Sequence, residues 1–301
     1  SAIQWGLAFD QQMSAMALNL AVCDLMAICG NIDRPGGNIL VRNSFEINAG
    51  YASGEDFTPQ SARDRKLTIA RGLGIKGGEF IAHAATDGIL HCIEAGELPN
   101  GDPYPIKMIW FQSSNSLACA GMDAPRDYEA LKSVDFIVNA DPILTPLSVA
   151  VADVLLPVAM SCERNSARTW WTPVRTMYRA VEPAGEAKTN VEMANLLAKG
   201  MGYTEACFDD DIPALMEQIL ADPNPIYGDG LTYESLKKKH WIKLVDFVPY
   251  ADELKNGFAT PSGKIEFYSE QLKELGLPPV VEYAPHAESR DGSPDLFAKY
   301  P

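Results

Sequence analysis

The chain has 301 residues, 47% apolar and 22% charged, a balance ordinary for a globular protein and too apolar for disorder. Its 25 Lys and Arg against 40 Asp and Glu leave a formal charge of −15, which disfavours non-specific attraction to nucleic acid or an anionic membrane. No run of about 18 apolar residues occurs, so direct insertion into a membrane as a helix is not expected.

Taken in chain order, Ile3-Gln-Trp-Gly-Leu-Ala-Phe9 reads as a buried strand that opens abruptly, as in a segment of a longer protein, with no signal-peptide pattern. A helix over 11–29 follows, apolar on nearly every side and therefore expected to be buried. It stops at Gly30-Asn31, and Arg34-Pro35-Gly36-Gly37 makes a sharp turn. Residues 38–75 show no period and read as irregular. A second helix is expected over 79–94.

The clearest pattern lies between 106 and 159. Ile106-Lys-Met-Ile-Trp-Phe111, Asp135-Phe-Ile-Val-Asn139 and Asp153-Val-Leu-Leu-Pro-Val-Ala159 are three apolar runs, separated by a helix capped by Asp123 and a short helix over 145–151. Alternation of this kind predicts right-handed crossovers and a mostly parallel sheet, hence a three-layer α/β/α, Rossmann-like domain. Thr189 and Glu192 form a capping box opening a helix that ends near Gly202. The domain segment is taken as 1–203. Residues 204–301 form an irregular extension, with helices expected over 212–220 and 233–244, a turn into Lys264-Ile-Glu-Phe-Tyr268, and a proline-rich linker from 278.

Ligands of open parallel sheets bind beyond the carboxyl ends of the strands. Three such ends carry Gln112-Ser-Ser-Asn115, Asn139-Ala-Asp141 and Ser161-Cys-Glu-Arg164. Together they suit a large polar ligand, with Arg164 for phosphate and Asp141 accepting two N–H donors of a purine edge; as isolated residues they would be ordinary caps and turns. His83, Asp87 and His91 share one helix face, which reads as a solvated polar face rather than a metal site. Asp209-Asp-Asp211 reads as a helix start, and Trp170-Trp171 as a packing pair. The six cysteines form no CxxC pair and read mostly as small buried hydrophobes. Gly72-Leu-Gly74 lacks the context of a dinucleotide fingerprint, which argues against a nicotinamide-dependent dehydrogenase.

Gly6-Leu-Ala-Phe-Asp-Gln11 and Gly30-Asn-Ile-Asp-Arg-Pro-Gly-Gly37 resemble the molybdopterin oxidoreductases of the dimethyl sulfoxide reductase family. So do Ser113-Ser-Asn115, Val138-Asn-Ala-Asp141, Ala152-Asp-Val-Leu-Leu-Pro157 with Glu163-Arg164, Pro183-Ala-Gly-Glu-Ala-Lys-Thr-Asn190 and Thr260-Pro-Ser-Gly-Lys-Ile-Glu266, in the family's order. The resemblance implies the middle segment of a catalytic subunit binding molybdenum or tungsten in a bis-molybdopterin guanine dinucleotide, for two-electron redox or oxygen-atom transfer on a small-molecule substrate. Residue by residue, it implies cofactor contacts at Leu7 and Gln11 near the pterin, and at Asn115, Ala140, Asp141, Arg164 and Asn190. The family often has Met at position 7, Pro after Asn115, Lys at 164 and Asp at 190, where this chain has Leu7, Ser116, Arg164 and Asn190.

The family's metal ligand and its 4Fe-4S cysteines fall upstream of the segment matched here, so the resemblance implies no turnover by this chain alone. It further implies iron–sulfur electron-transfer and membrane-anchor subunits as partners, and a periplasmic or cell-surface location by twin-arginine export of the full protein. The alternative is a non-catalytic structural domain of the same fold within an electron-transfer complex, against which the charges of Asp141 and Arg164 argue.

Overall fold

The computed structural model describes residues 1–4, 6, 9, 14–38, 58–74, 84–119, 123–168, 174–209, 211–221, 230–239, 241–242, 257–258 and 260–301. By contact the chain divides into two units, Ser1–Asn43 with Asp246–Pro301, and Ser44–Val245; the change of sequence character at 203 falls inside the second.

Among the described residues of the unit Ser44–Val245, three helices precede the first strand: α2 (Gln60–Arg63), α3 (Ile69–Leu73) and α4 (Thr86–Ala95), following α1 (Ala15–Ile28) of the other unit. β1 (Met108–Gln112), α5 (Ser116–Cys119), α6 (Ala124–Lys132), β2 (Phe136–Asp141), α7 (Pro146–Val151) and β3 (Val154–Pro157) then alternate as the spacing predicts. The caps are local and strong. Asp123 accepts from the Arg126 N–H at 3.3 Å, and Pro125 occupies the first turn of α6, where a missing N–H does no harm.

The three strands are parallel in the order β1-β2-β3, with Trp110 opposite Val138 and Ala140 opposite Leu156. Asp153 fixes where β3 begins, since its carboxylate accepts the Ile137 N–H at 2.7 Å while its own N–H returns to the Ile137 carbonyl at 2.9 Å. Alternation along the strands sorts the core. Ile137 packs with Leu131 and Leu147, joined by Ile109 and Phe111, whereas Ala140 packs with Val158, Met193, Trp110 and Leu156. Arg126 and Glu94 pair through two hydrogen bonds (2.8 and 2.6 Å), tying α6 to α4; the guanidinium holds the Glu94 carboxyl below the ordinary carboxylate range. The result is a mixed α/β fold with a small parallel sheet.

Beyond β3, the strands β4 (Ser166–Arg168), β5 (Val174–Met177) and β6 (Trp241–Ile242) form a separate antiparallel sheet that the sequence does not announce. α8 (Asn190–Gly200) opens with the expected Thr189–Glu192 capping box, and α9 (Ile212–Leu220) is capped by Asp211, which accepts the Ala214 N–H at 3.0 Å. α10 is Tyr233–Lys239; the helix expected to 244 gives way to β6. Met216 and Leu220 of α9 with Tyr233 and Leu236 of α10 make a third core cluster.

The other unit holds α1, α11 (Glu270–Glu274) and α12 (Pro294–Lys299). Asn38 clamps Ile3, accepting its N–H at 2.9 Å and donating to its carbonyl at 2.7 Å.

Four expectations need correction. Among the described residues of 3–9 there is no strand, and the Phe9 N–H closes a turn on the Gly6 carbonyl. α1 is not a buried helix: Met16, Leu25 and Ile28 are 55%, 50% and 75% exposed, and only Met26 is buried. Cys92 alone of the six cysteines is buried. Within 38–75, read as irregular, the described residues hold two short helices, α2 and α3.

Candidate functional site

Because β1, β2 and β3 run the same way, their carboxyl ends share one rim. The Ser113 N–H donates to the Ala140 carbonyl at 2.8 Å, carrying the β1–β2 pairing one step past Gln112. Ser113 then takes a left-handed conformation, φ 47°, uncommon for a residue with a side chain, and turns the chain off the strand toward Asn115. Asn115 Oδ1 accepts the Leu147 N–H from the first turn of α7 at 3.4 Å. Ala140 is fully buried, and its carbonyl is the one that accepts the Ser113 N–H. Asp141, the half-buried last residue of β2, accepts the Ile143 N–H on Oδ1 at 3.2 Å in a local turn.

Two further segments join this rim. Lys188 pairs with Val158 as a parallel bridge: the Lys188 N–H donates to the Pro157 carbonyl (3.1 Å), and the Ala159 N–H to the Lys188 carbonyl (2.9 Å). That bridge delivers the start of α8 to the end of β3, and Asn190 is the helix's first residue. Arg164 comes off the same strand end, just past the short 3-10 turn Ser161–Glu163.

Asn115, Ala140, Asp141 and Asn190 are therefore gathered at the ends of the parallel strands, and Arg164 stands on the segment that leaves β3. Leu7 and Gln11 lie outside the described residues. Among the described residues of this region, Arg164 Nε and Asn190 Oδ1 are buried without a hydrogen-bond partner, as is Asn139 Nδ2 behind the rim. Each such atom costs about 1–3 kcal/mol. A donor and an acceptor left open at the rim are what a polar ligand would complete.

The other candidates gain nothing. Among the described residues no group of three His, Cys, Asp or Glu is placed to hold a metal ion; His83 and Trp170-Trp171 fall outside them. Asp211 serves as a helix cap. What sequence reasoning passed over is a buried polar network behind the rim. Ser148 Oγ donates to Asn139 Oδ1 (2.7 Å) and lies 2.8 Å from Thr145 Oγ1. Its signal was an amide inside the otherwise apolar run Phe136-Ile-Val-Asn-Ala140.

The strand ends of the parallel α/β core thus collect amide, acid and guanidinium groups on one rim. The molybdopterin oxidoreductase family model matches residues 1–200, and the chain belongs to that family. Relatives lie within the dimethyl sulfoxide reductase family. The chain is 31% identical over 207 residues to acetylene hydratase of Syntrophotalea acetylenica, a match covering 66% of this chain and 26% of that protein. It is 25% identical over 297 residues to the thiosulfate reductase molybdopterin-containing subunit PhsA of Salmonella typhimurium, covering 86% and 38%, and 29% identical over 215 residues to dimethyl sulfoxide reductase DmsA of Escherichia coli, covering 62% and 26%. The solved acetylene hydratase from Pelobacter acetylenicus shares the fold over 100% of this chain and 42% of its own, with a TM-score of 0.77 at 24% identity. The chain thus spans between 26% and 42% of the length of these relatives.

Proposed function

We propose that this chain is the part of a molybdenum or tungsten oxidoreductase that holds one arm of a bis-molybdopterin guanine dinucleotide, within a three-layer α/β/α domain. The observation that carries the reading is the pair of buried, unpartnered atoms, Arg164 Nε and Asn190 Oδ1, beside a rim that already presents Asn115 and Asp141. Each has a natural counterpart in such a ligand. Arg164 offers a fixed, always-charged donor fork to a phosphate oxygen. Asp141 accepts two adjacent N–H donors of a guanine edge. Asn190 Oδ1 accepts an amine of the pterin, and the first turn of α8 adds the positive end of an eleven-residue helix near the same phosphates. Ala140 admits the ligand close to the backbone. Leu7 and Gln11 complete the pterin contacts in this reading.

When bound, the metal cofactor supplies the two-electron chemistry; the contribution of these residues is placement, which decides whether the reacting centre faces its small-molecule substrate. The family resemblance supports an iron–sulfur electron-transfer subunit and a membrane anchor as partners of the full protein, with a 4Fe-4S cluster bound by its N-terminal part and export to the periplasm or cell surface.

The test is Asp141→Ala in the full-length protein, read by the metal and the acid-released GMP per purified chain. Hydrogen bonds to a charged group contribute about 1.5–3 kcal/mol each, so both are expected to fall together by several-fold. Unchanged GMP and metal would reject the assignment of Asp141, and with it the rim as the guanine site.

A further inference from the structure

Asn139 is the anomaly of the parallel sheet: an amide 1% exposed, on the strand face that also carries Ile137. Such a group is tolerated only where hydrogen bonds receive it. Ser148 Oγ has a single proton, and it goes to Asn139 Oδ1 at 2.7 Å. Of the two hydroxyls 2.8 Å apart, Thr145 Oγ1 must therefore be the donor to Ser148 Oγ. Ser148 Oγ also takes the Thr145 N–H at 3.1 Å, and Thr145 Oγ1 takes the Ser148 N–H at 3.2 Å. The proton chain runs one way, from Thr145 through Ser148 to Asn139, and it fastens the first turn of α7 to the middle of β2.

That turn is tied to both of the rim's central side chains. Leu147, within it, donates its N–H to Asn115 Oδ1. Asp141 is separated from Thr145 only by residues 142–144, so the loop bearing its carboxylate is pinned at one end by β2 and at the other by the Thr145–Ser148 cap. A helix cap needs Thr145 and Ser148 alone; directing the Ser148 proton inward to a buried amide adds a tie that capping does not require.

We propose that Ser148 and Asn139 are positioning residues for the dinucleotide, setting where Asn115 and Asp141 stand without touching the ligand. The proposal rests on the rim being the guanine site. Ser148→Ala keeps the Thr145 Oγ1 bond to the backbone N–H of residue 148 but removes the acceptor of the Thr145 N–H, and it strips the Asn139 side chain of its only partner among the described residues. In the full-length protein it is expected to lower acid-released GMP per chain by about five- to ten-fold, the scale of one buried polar contact. Ser148→Thr, which keeps the hydroxyl, retains the nucleotide. Leu131→Ala, in the same core cluster but away from the rim, controls for simple destabilisation: it should lower the melting temperature of the cofactor-free protein at least as much while leaving the GMP content in place. If Leu131→Ala loses as much GMP as Ser148→Ala, the network acts through stability alone and the proposal fails. If Ser148→Ala keeps its GMP while Asp141→Ala loses it, the proposal fails and the guanine site stands. If both keep it, the site itself is wrong.

Discussion

Tyr233 sends its hydroxyl into the cluster of Met216, Leu220 and Leu236, where it finds no hydrogen-bond partner, and the tilted ring of Tyr178, 5.7 Å away, brings a second unpartnered hydroxyl. Burial, reinforced by the neighbouring Tyr178, Asp211 and Glu234, pushes the Tyr233 phenol up from 10.0 to about 12. Between those values the unfolded chain has released a proton that the folded chain still holds, so this group's contribution favours unfolding increasingly as pH rises from about 10 to about 12. Tyr233→Phe removes an unmet hydroxyl rather than a bond. It is expected to leave neutral-pH stability unchanged or raise it by up to about 1 kcal/mol, and to flatten the alkaline loss. Urea midpoints measured across that pH range check both effects; a marked fall at neutral pH would mean the hydroxyl has a partner in solution. The open atoms of Arg164 and Asn190 differ from these in kind, because they belong to residues at the exit of β3 and the start of α8, where chain ends and helix termini converge.

Among the elements, those written in local signals were legible: three apolar runs became three parallel strands, and Asp123, Thr189 and Asp211 each cap the helix they precede. The rim was legible for the same reason, since strand direction alone puts strand ends together. What failed depended on partners distant in sequence. The composition of α1 gives its helix correctly, but burial is settled by what covers a face, and Leu25 and Ile28 stay exposed. The antiparallel sheet is assembled from strands of three, four and two residues, too short to show a period. Gly72 also carried a meaning that motif reading missed. A Cβ on Gly88 would sit 2.8 Å from the Gly72 Cα and 2.9 Å from its carbonyl carbon and oxygen, all backbone, whereas one on Gly72 would meet the Gly88 Cα at 3.2 Å. α3 and α4 therefore cross at a point where only hydrogen fits. Glycine to alanine inside a helix ordinarily stabilises by about 1 kcal/mol. Here Gly88→Ala is expected to destabilise by about 1–3 kcal/mol, and Gly72→Ala by less, because the neighbouring helix has to move. Denaturant unfolding of the two variants decides it, and a stabilising Gly88→Ala would show that the helices stand farther apart.

At the scale of the whole molecule, the three core clusters and two sheets of the described residues, with the described part of the rim, all lie in the continuous stretch Ser44–Val245, while the other unit is made from the two ends of the chain. Cooperative unfolding needs a shared apolar core more than it needs a complete chain, and a segment of this length is within the usual range of a single domain. A protein consisting of residues 44–245 is thus expected to fold by itself, to melt in one transition and to show the alkaline destabilisation that belongs to Tyr233. The ends have no such core among their described residues: Met26 is their only buried apolar side chain, and Asp33 their only buried polar one. Joined by a short flexible linker, residues 1–43 and 246–301 are expected to give no cooperative melt. Calorimetry on the two proteins distinguishes the cases. If 44–245 unfolds gradually, with exposed apolar surface at neutral pH, then its clusters depend on the ends of the chain. The arrangement of the rim would in that event be a property of the entire polypeptide rather than of the parallel sheet.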